Sequence, residues 1–204
     1  FSLIAGYNYS WTQDPTTTPS ATSDNWTTST SAPTFTATDS STWYLHVRAR
    51  DNAGNLNDSA YHIGPFMIDT TAPSAPTGGT PTPSDWTNTM SWSIDWTNPS
   101  DTSGIVAGGY YKLDSAPSGT GQGTWVGTKP LTISSGVSEG SHTVYIWLKD
   151  NAVNEGWQNT ATVTIKYDPT APSAPTGGSP TPSDWTSTMS WSIDWTNPSD
   201  TSGI

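Results

Sequence analysis

Met90, Trp92, Ile94 and Trp96 alternate with Ser91, Ser93, Asp95 and Thr97. A period of two places the four apolar side chains on one face of a strand and leaves a polar face opposite. Asn98-Pro99 ends the run. Gly108-Gly109 precedes a second strand marked by Tyr111 and Leu113, and Trp125-Val126 and Leu131–Ile133 flank a Gly-Thr-Lys-Pro turn. Residues 142–149 put Val144, Ile146 and Leu148 on one face, as Leu45, Val47 and Ala49 do earlier in the chain. Residues 160–167 do the same with Val163, Ile165 and Tyr167. No stretch repeats at the helical period. Short strands between regular turn signals predict an all-β chain of sandwich type.

The pattern is also repeated on a larger scale. Residues 71–105 return at 170–204 with two differences, Thr80/Ser179 and Asn88/Ser187. The offset is 99 residues, about the length of one small β-sandwich, and near-identical tandem copies mark an array. Residues 1–69 overlie 100–168: Asp51 falls on Asp150 and Asp69 on Asp168, while an offset of 102 near the start puts Leu3 on Ile105 and Tyr9 on Tyr111. The predicted organisation is therefore 1–69 as the back part of a first repeat without its first two strands, 70–168 as a complete repeat, and 169–204 as the first two strands of a third. Ile204, like Leu3, matches Ile105, so the last segment of one copy has the register to complete the first segment of another.

Trp96-Thr97-Asn98-Pro99, then Gly104-Ile105 and Gly109-Tyr110-Tyr111, resembles the Trp-x-x-Pro … Gly-Tyr pattern of fibronectin type III domains. Residues 140–154 and 41–55 are similar to the penultimate strand and turn of prokaryotic fibronectin/Ig-like repeats, and 69–77 and 168–176 to the joints between them. The resemblance implies tandem Ig-like sandwiches of about 99 residues in an extracellular, cell-surface protein, with Trp96 in the core. The repeats part at Gly54, which becomes Val153; a strict left-handed turn is not expected at a β-branched residue. The joints carry TAPSAP, whose prolines favour an extended, semi-rigid spacer.

Composition narrows the function. Hydrophobic residues make up only 31% of the chain, yet it holds Trp 12 and Tyr 8, enough large side chains for small cores. The formal net charge of −11, with Lys+Arg 6, excludes the basic footprint that nucleic acid needs and disfavours anionic membranes. Ser, Thr and Asn must solvate the surface, as suits a secreted, glycosylated protein. There is no cysteine to form a staple and no apolar run long enough to insert in a membrane.

Candidate chemistry is sparse. Surface tryptophans stack sugars, but Trp92 and Trp96 share the Ile94 face and are read as core; Trp86, Trp125 and Trp157 lie near loops. Asp51 with Asp69, and Asp150 with Asp168, offer calcium at the domain joints, but too few oxygens for its usual six to eight; the competing reading has Asp51 and Asp150 binding turn amides. No other cofactor is expected. His46, His62 and His142 do not recur between repeats and are read as surface or rim residues. Asn-x-Ser/Thr triplets make Asn8, Asn25 and Asn57 candidate glycosylation sites, with Asn8 facing solvent between Tyr7 and Tyr9. No Ser-His-Asp set, paired-carboxylate cleft or phosphate loop can be assembled, so no enzyme is expected. The expected function is a structural or adhesive repeat segment of a long extracellular polypeptide forming a fibre, filament, stalk or coat. Its partners would be copies of itself, with glycans second. The alternative is a spacer or carbohydrate-binding module of a secreted glycoside hydrolase.

Overall fold

The structure, a computed structural model, describes residues 3–22, 25–31, 33–39 and 41–203. Ile204, one of the matched positions, lies outside them. Among the described residues every regular element is a strand: β1(Ile4–Thr12), β2(Asn25–Thr27), β3(Ser41–Asp51), β4(Tyr61–Ile68), β5(Thr77–Thr82), β6(Trp92–Thr97), β7(Gly109–Leu113), β8(Thr124–Val126), β9(Leu131–Ile133), β10(Gly140–Trp147), β11(Ala161–Tyr167), β12(Thr176–Thr181) and β13(Ser192–Thr196). The chain divides into two compact units, the first comprising Phe1–Ala72 and Asn151–Asn154, the second Pro73–Asp150 and Glu155–Ile204.

In the second unit two antiparallel sheets, β5-β6-β9 and β11-β10-β7-β8, close on a shared core. The alternation of β6 decides the packing. Trp92, Ile94 and Trp96 are 0%, 0% and 5% exposed. They meet Val144, Ile146, Leu148, Val163 and Ile165 of the facing sheet, with Tyr111 packed half-buried against them, as the period predicted. Burying each such aliphatic side chain contributes about 1.5–3 kcal/mol. Two glycines set how closely the layers approach. A Cβ on Gly79 would lie 2.9 Å from Val163 Cγ1, and one on Gly109 would lie 2.9 Å from Trp96 Cζ2. The outer face of the second sheet has a smaller apolar seat of its own. Trp147 is buried there, stacked on Tyr110 at 5.5 Å, and its Nε1 donates to Glu155 Oε1 at 2.8 Å.

Val153 corrects one expectation. It takes φ 73° where Gly54 takes φ 92°, so the turn keeps its left-handed residue although the side chain there is β-branched.

The first unit is one sheet in the order β2-β1-β3-β4, the order of β8-β7-β10-β11. The register of β1 on β3 matches that of β7 on β10, with Tyr9 opposite Val47 as Tyr111 is opposite Ile146; in β3–β4 an irregularity between Trp43 and Leu45 shifts the pairing, so that Tyr61, and not His62, stands where Ala161 does. The segment joining β1 and β2 covers one face. Pro19 is fully buried there, and Ser20 O accepts the Asn8 side-chain amide at 3.1 Å. Over the other face runs the stretch 33–38, with Phe35 stacked on Trp11 at 5.0 Å and Trp11 Nε1 donating to Thr36 O at 2.8 Å.

Candidate functional site

The hairpin β12–β13 repeats β5–β6 residue for residue. Thr176↔Thr196, Ser179↔Asp194, Pro180↔Ile193 and Thr181↔Ser192 stand 99 positions beyond Thr77↔Thr97, Thr80↔Asp95, Pro81↔Ile94 and Thr82↔Ser93. The local sequence dictates the same fold, but the surroundings differ. Trp191, Ile193 and Trp195 are 57%, 55% and 64% exposed, against near-complete burial of Trp92, Ile94 and Trp96. Trp185 and Met189 beside them are also exposed. Apolar side chains patterned for a core stand together in solvent, and a contiguous patch of this kind marks an interaction surface.

The first unit carries a complementary feature. Tyr7, Tyr9, Leu45, Val47, Ala49, Tyr61 and Ile63 line a groove of about 430 Å³, with Thr27, Ser29, Thr30, Pro33 and Asn57 around it. In the second unit the equivalent face, bearing Tyr111, Val144, Ile146 and Val163, is packed in the core.

The glycosylation triplets are dispersed. Asn25 is exposed on β2, and Asn57 is exposed at the groove, its side-chain amide donating to Ser59 O. Asn8 corrects its expectation: it is 2% exposed and its amide nitrogen is engaged by Ser20 O, so it does not face solvent. The segment between β1 and β2 covers the face that alternation assigned to water.

Asp51 is used by its own turn. Asp51 Oδ1 accepts from the Ala53 and Asn55 amides at 2.9 and 2.8 Å, and the Asn55 side chain donates to Oδ2 at 3.0 Å. These bonds, the Asn55 side chain foremost, hold the Asp51 carboxyl below the usual carboxylate range. Asp69 accepts from the Thr71 amide at 3.1 Å, and Asp150 is fully buried. Asp168 accepts from the amides of Thr170 and Ser202 at 3.0 Å each; bonds from Ser202 are the main cause of its lowered pKa. Carboxylates also tie each joint to the sheet before it: Asp39 accepts from Thr70 and Thr71, and Glu139 from Thr170 and Thr201.

One of the histidines is a second correction. His46 is fully buried, with Nδ1 2.7 Å from His62 Nδ1 and Nε2 3.0 Å from Thr12 Oγ1. Burial, then the neighbouring His62, lowers its pKa. His142 is half-buried, its Nδ1 2.7 Å from Asp114 Oδ2. His62 is exposed and His142 stands at the rim, so only His46 departs from the expectation.

One recurring contact escaped the sequence reading. Arg50 lies over the Trp26 ring at 5.3 Å, and Lys149 lies over Trp125 at 4.6 Å. Arg50 and Lys149 are 99 positions apart, as are Trp26 and Trp125, so comparing the repeats for a shared cation and a shared indole is the signal that finds it. Compared with known proteins, the chain matches no family model and no curated protein sequence.

Proposed function

We propose that the chain is a structural repeat segment of a long extracellular polypeptide. In this reading it is built from tandem Ig-like sandwiches of about 99 residues, similar to fibronectin type III, and forms a surface fibre, filament, stalk or coat. One observation carries it: β12–β13 reproduces β5–β6 in sequence, register and apolar face, as an array of interchangeable modules requires. The order β5-β6-β9 over β11-β10-β7-β8 is compatible with the Ig-like resemblance. The role draws on no cofactor and no catalysis.

A carbohydrate-binding module is less favoured. A sugar platform needs an open ring face, and Trp26 and Trp125 each hold a cation over theirs. The test is to shave intact cells of the source organism with protease and to measure the denatured mass of the parent polypeptide. The proposal expects surface release of these peptides from a parent far larger than 21.7 kDa with many copies of the repeat. Recovery only from the cell interior, or a single repeat set fused to a hydrolase domain, contradicts it.

A further inference from the structure

We infer that His46 and His62 form a binding site for a divalent transition ion of the zinc class on the outer face of the first unit. The site draws on neither the array reading nor the groove.

A bulge creates the pair. The 99-residue offset sets His62 on Ala161, which pairs with Ile146 in a row facing the core. In β4, however, Gly64 and Pro65 together oppose Tyr44 alone, and the pairing beyond them slips by one residue. His62 therefore stands where Thr162 does, on the outer face and directly opposite His46. Bulges recur beside functional sites because one extra residue re-aims the side chains past it. This one depends on Gly64. Its φ is 141°, and a Cβ there would lie 2.9 Å from Trp43 O and 2.9 Å from Tyr44 Cδ1. The outer face is open at the same place in the complete sandwich, where Thr162 is exposed.

The chemistry of the pair suits a metal. The two Nδ1 atoms converge to 2.7 Å, with the ring planes at 74°. His46 Nε2 lies 3.0 Å from Thr12 Oγ1, whose own proton is directed to Asp14 O or Thr17 Oγ1. Thr12 therefore accepts from Nε2–H, and the lone pair of His46 Nδ1 is turned toward His62. Holding the far ring nitrogen in this way fixes the tautomer that a metal-binding histidine needs. In the hydrogen-bonded pair His62 Nδ1–H donates to that lone pair. When an ion binds, this proton passes to Nε2 of the His62 ring, and both Nδ1 lone pairs meet the ion. Two zinc–nitrogen bonds of about 2.0–2.1 Å at a tetrahedral angle hold their nitrogens about 3.4 Å apart, so the rings must part by about 0.7 Å. His62 can supply that movement, because it is exposed on the edge strand β4. The Asp14 carboxylate acts electrostatically on both rings and favours a cation between them. Water takes the two remaining positions, which makes the site open and exchangeable. Imidazole suits zinc, copper and nickel, whereas magnesium and calcium take oxygen.

The test is isothermal titration of the full chain with zinc chloride, buffered above the ordinary histidine range, with magnesium chloride as the control. Wild type should take up zinc saturably and no magnesium. His62→Ala, at an exposed edge position, keeps the fold and should weaken zinc binding about tenfold or more, while His142→Ala should leave it unchanged. Side-chain nitrogen spectra of the histidines place the ion: Nδ1 of both His46 and His62 should shift with zinc, and Nε2 of both should carry the proton. Absence of saturable zinc binding, equal affinity of wild type and His62→Ala, loss of binding in His142→Ala, or zinc shifts at Nε2 in place of Nδ1 overturns the inference.

Discussion

Ile94 and Ile193 occupy the same place in two copies of one hairpin, and alanine at each should have very different consequences. Ile94 is fully buried between Pro81 and Leu131 of its own sheet and faces the second sheet. Ile94→Ala deletes three buried carbons, about 2.4 kcal/mol of transfer free energy at about 0.8 kcal/mol each. The cavity left in a two-sided core adds about 1–2 kcal/mol. The expected loss in the second unit is therefore about 4 kcal/mol. Ile193 has more than half its surface in water, so Ile193→Ala loses only strand preference and a little packing, under about 1 kcal/mol. Hydrogen exchange of the β10 peptide in increasing guanidinium reads the second unit directly, at a concentration where the chain is monomeric. Equal losses from the two substitutions, or a loss below about 1 kcal/mol for Ile94→Ala, would refute the packing described here.

Lys149→Gln should destabilise the second unit by about 1 kcal/mol and Lys149→Arg should not, because the cation over Trp125 is what matters; paired unfolding curves decide. His46 is buried with its pKa lowered below 6.5, so the folded first unit resists a proton that the unfolded chain accepts. Its contribution is complete above pH 6.5 and declines as pH falls below it; His46→Asn should flatten the pH dependence of first-unit unfolding between pH 7 and 5, and an unchanged slope would count against a buried neutral imidazole. Gly108→Ala should free β8 from β7, since φ 94° disfavours a side chain and its Cβ would fall 1.9 Å from Val126 O; a loss above about 1 kcal/mol and faster exchange at Thr124–Val126 are expected.

The β6 face was legible because alternation is local, and Trp92, Ile94 and Trp96 needed only a second sheet to cover them. The same rule misplaced Asn8, and failure to recur between the repeats misplaced His46. Period two says which residues share a face, but it does not say that a distant segment bearing Pro19 and Ser20 will cover the face left polar. Val153 was misjudged for a related reason: side-chain preference argued against a left-handed residue, and the surrounding turn holds one regardless. Asp51 was half-legible, since a turn aspartate binding nearby amides is a short-range event that competes with a ligand role. The groove could not be read at all. Its lining comes from four strands and two loops, and whether it stays open depends on what packs above them. The repeat alignment did show that 170–204 spells the same face that the complete repeat buries.

Amide exchange along β13, compared with β6, tests the interchangeable hairpin most directly. The amides of Ser192–Thr196 should exchange far faster than their counterparts Ser93–Thr97, which lie between β5 and β9. Equal protection of the two segments would contradict the account.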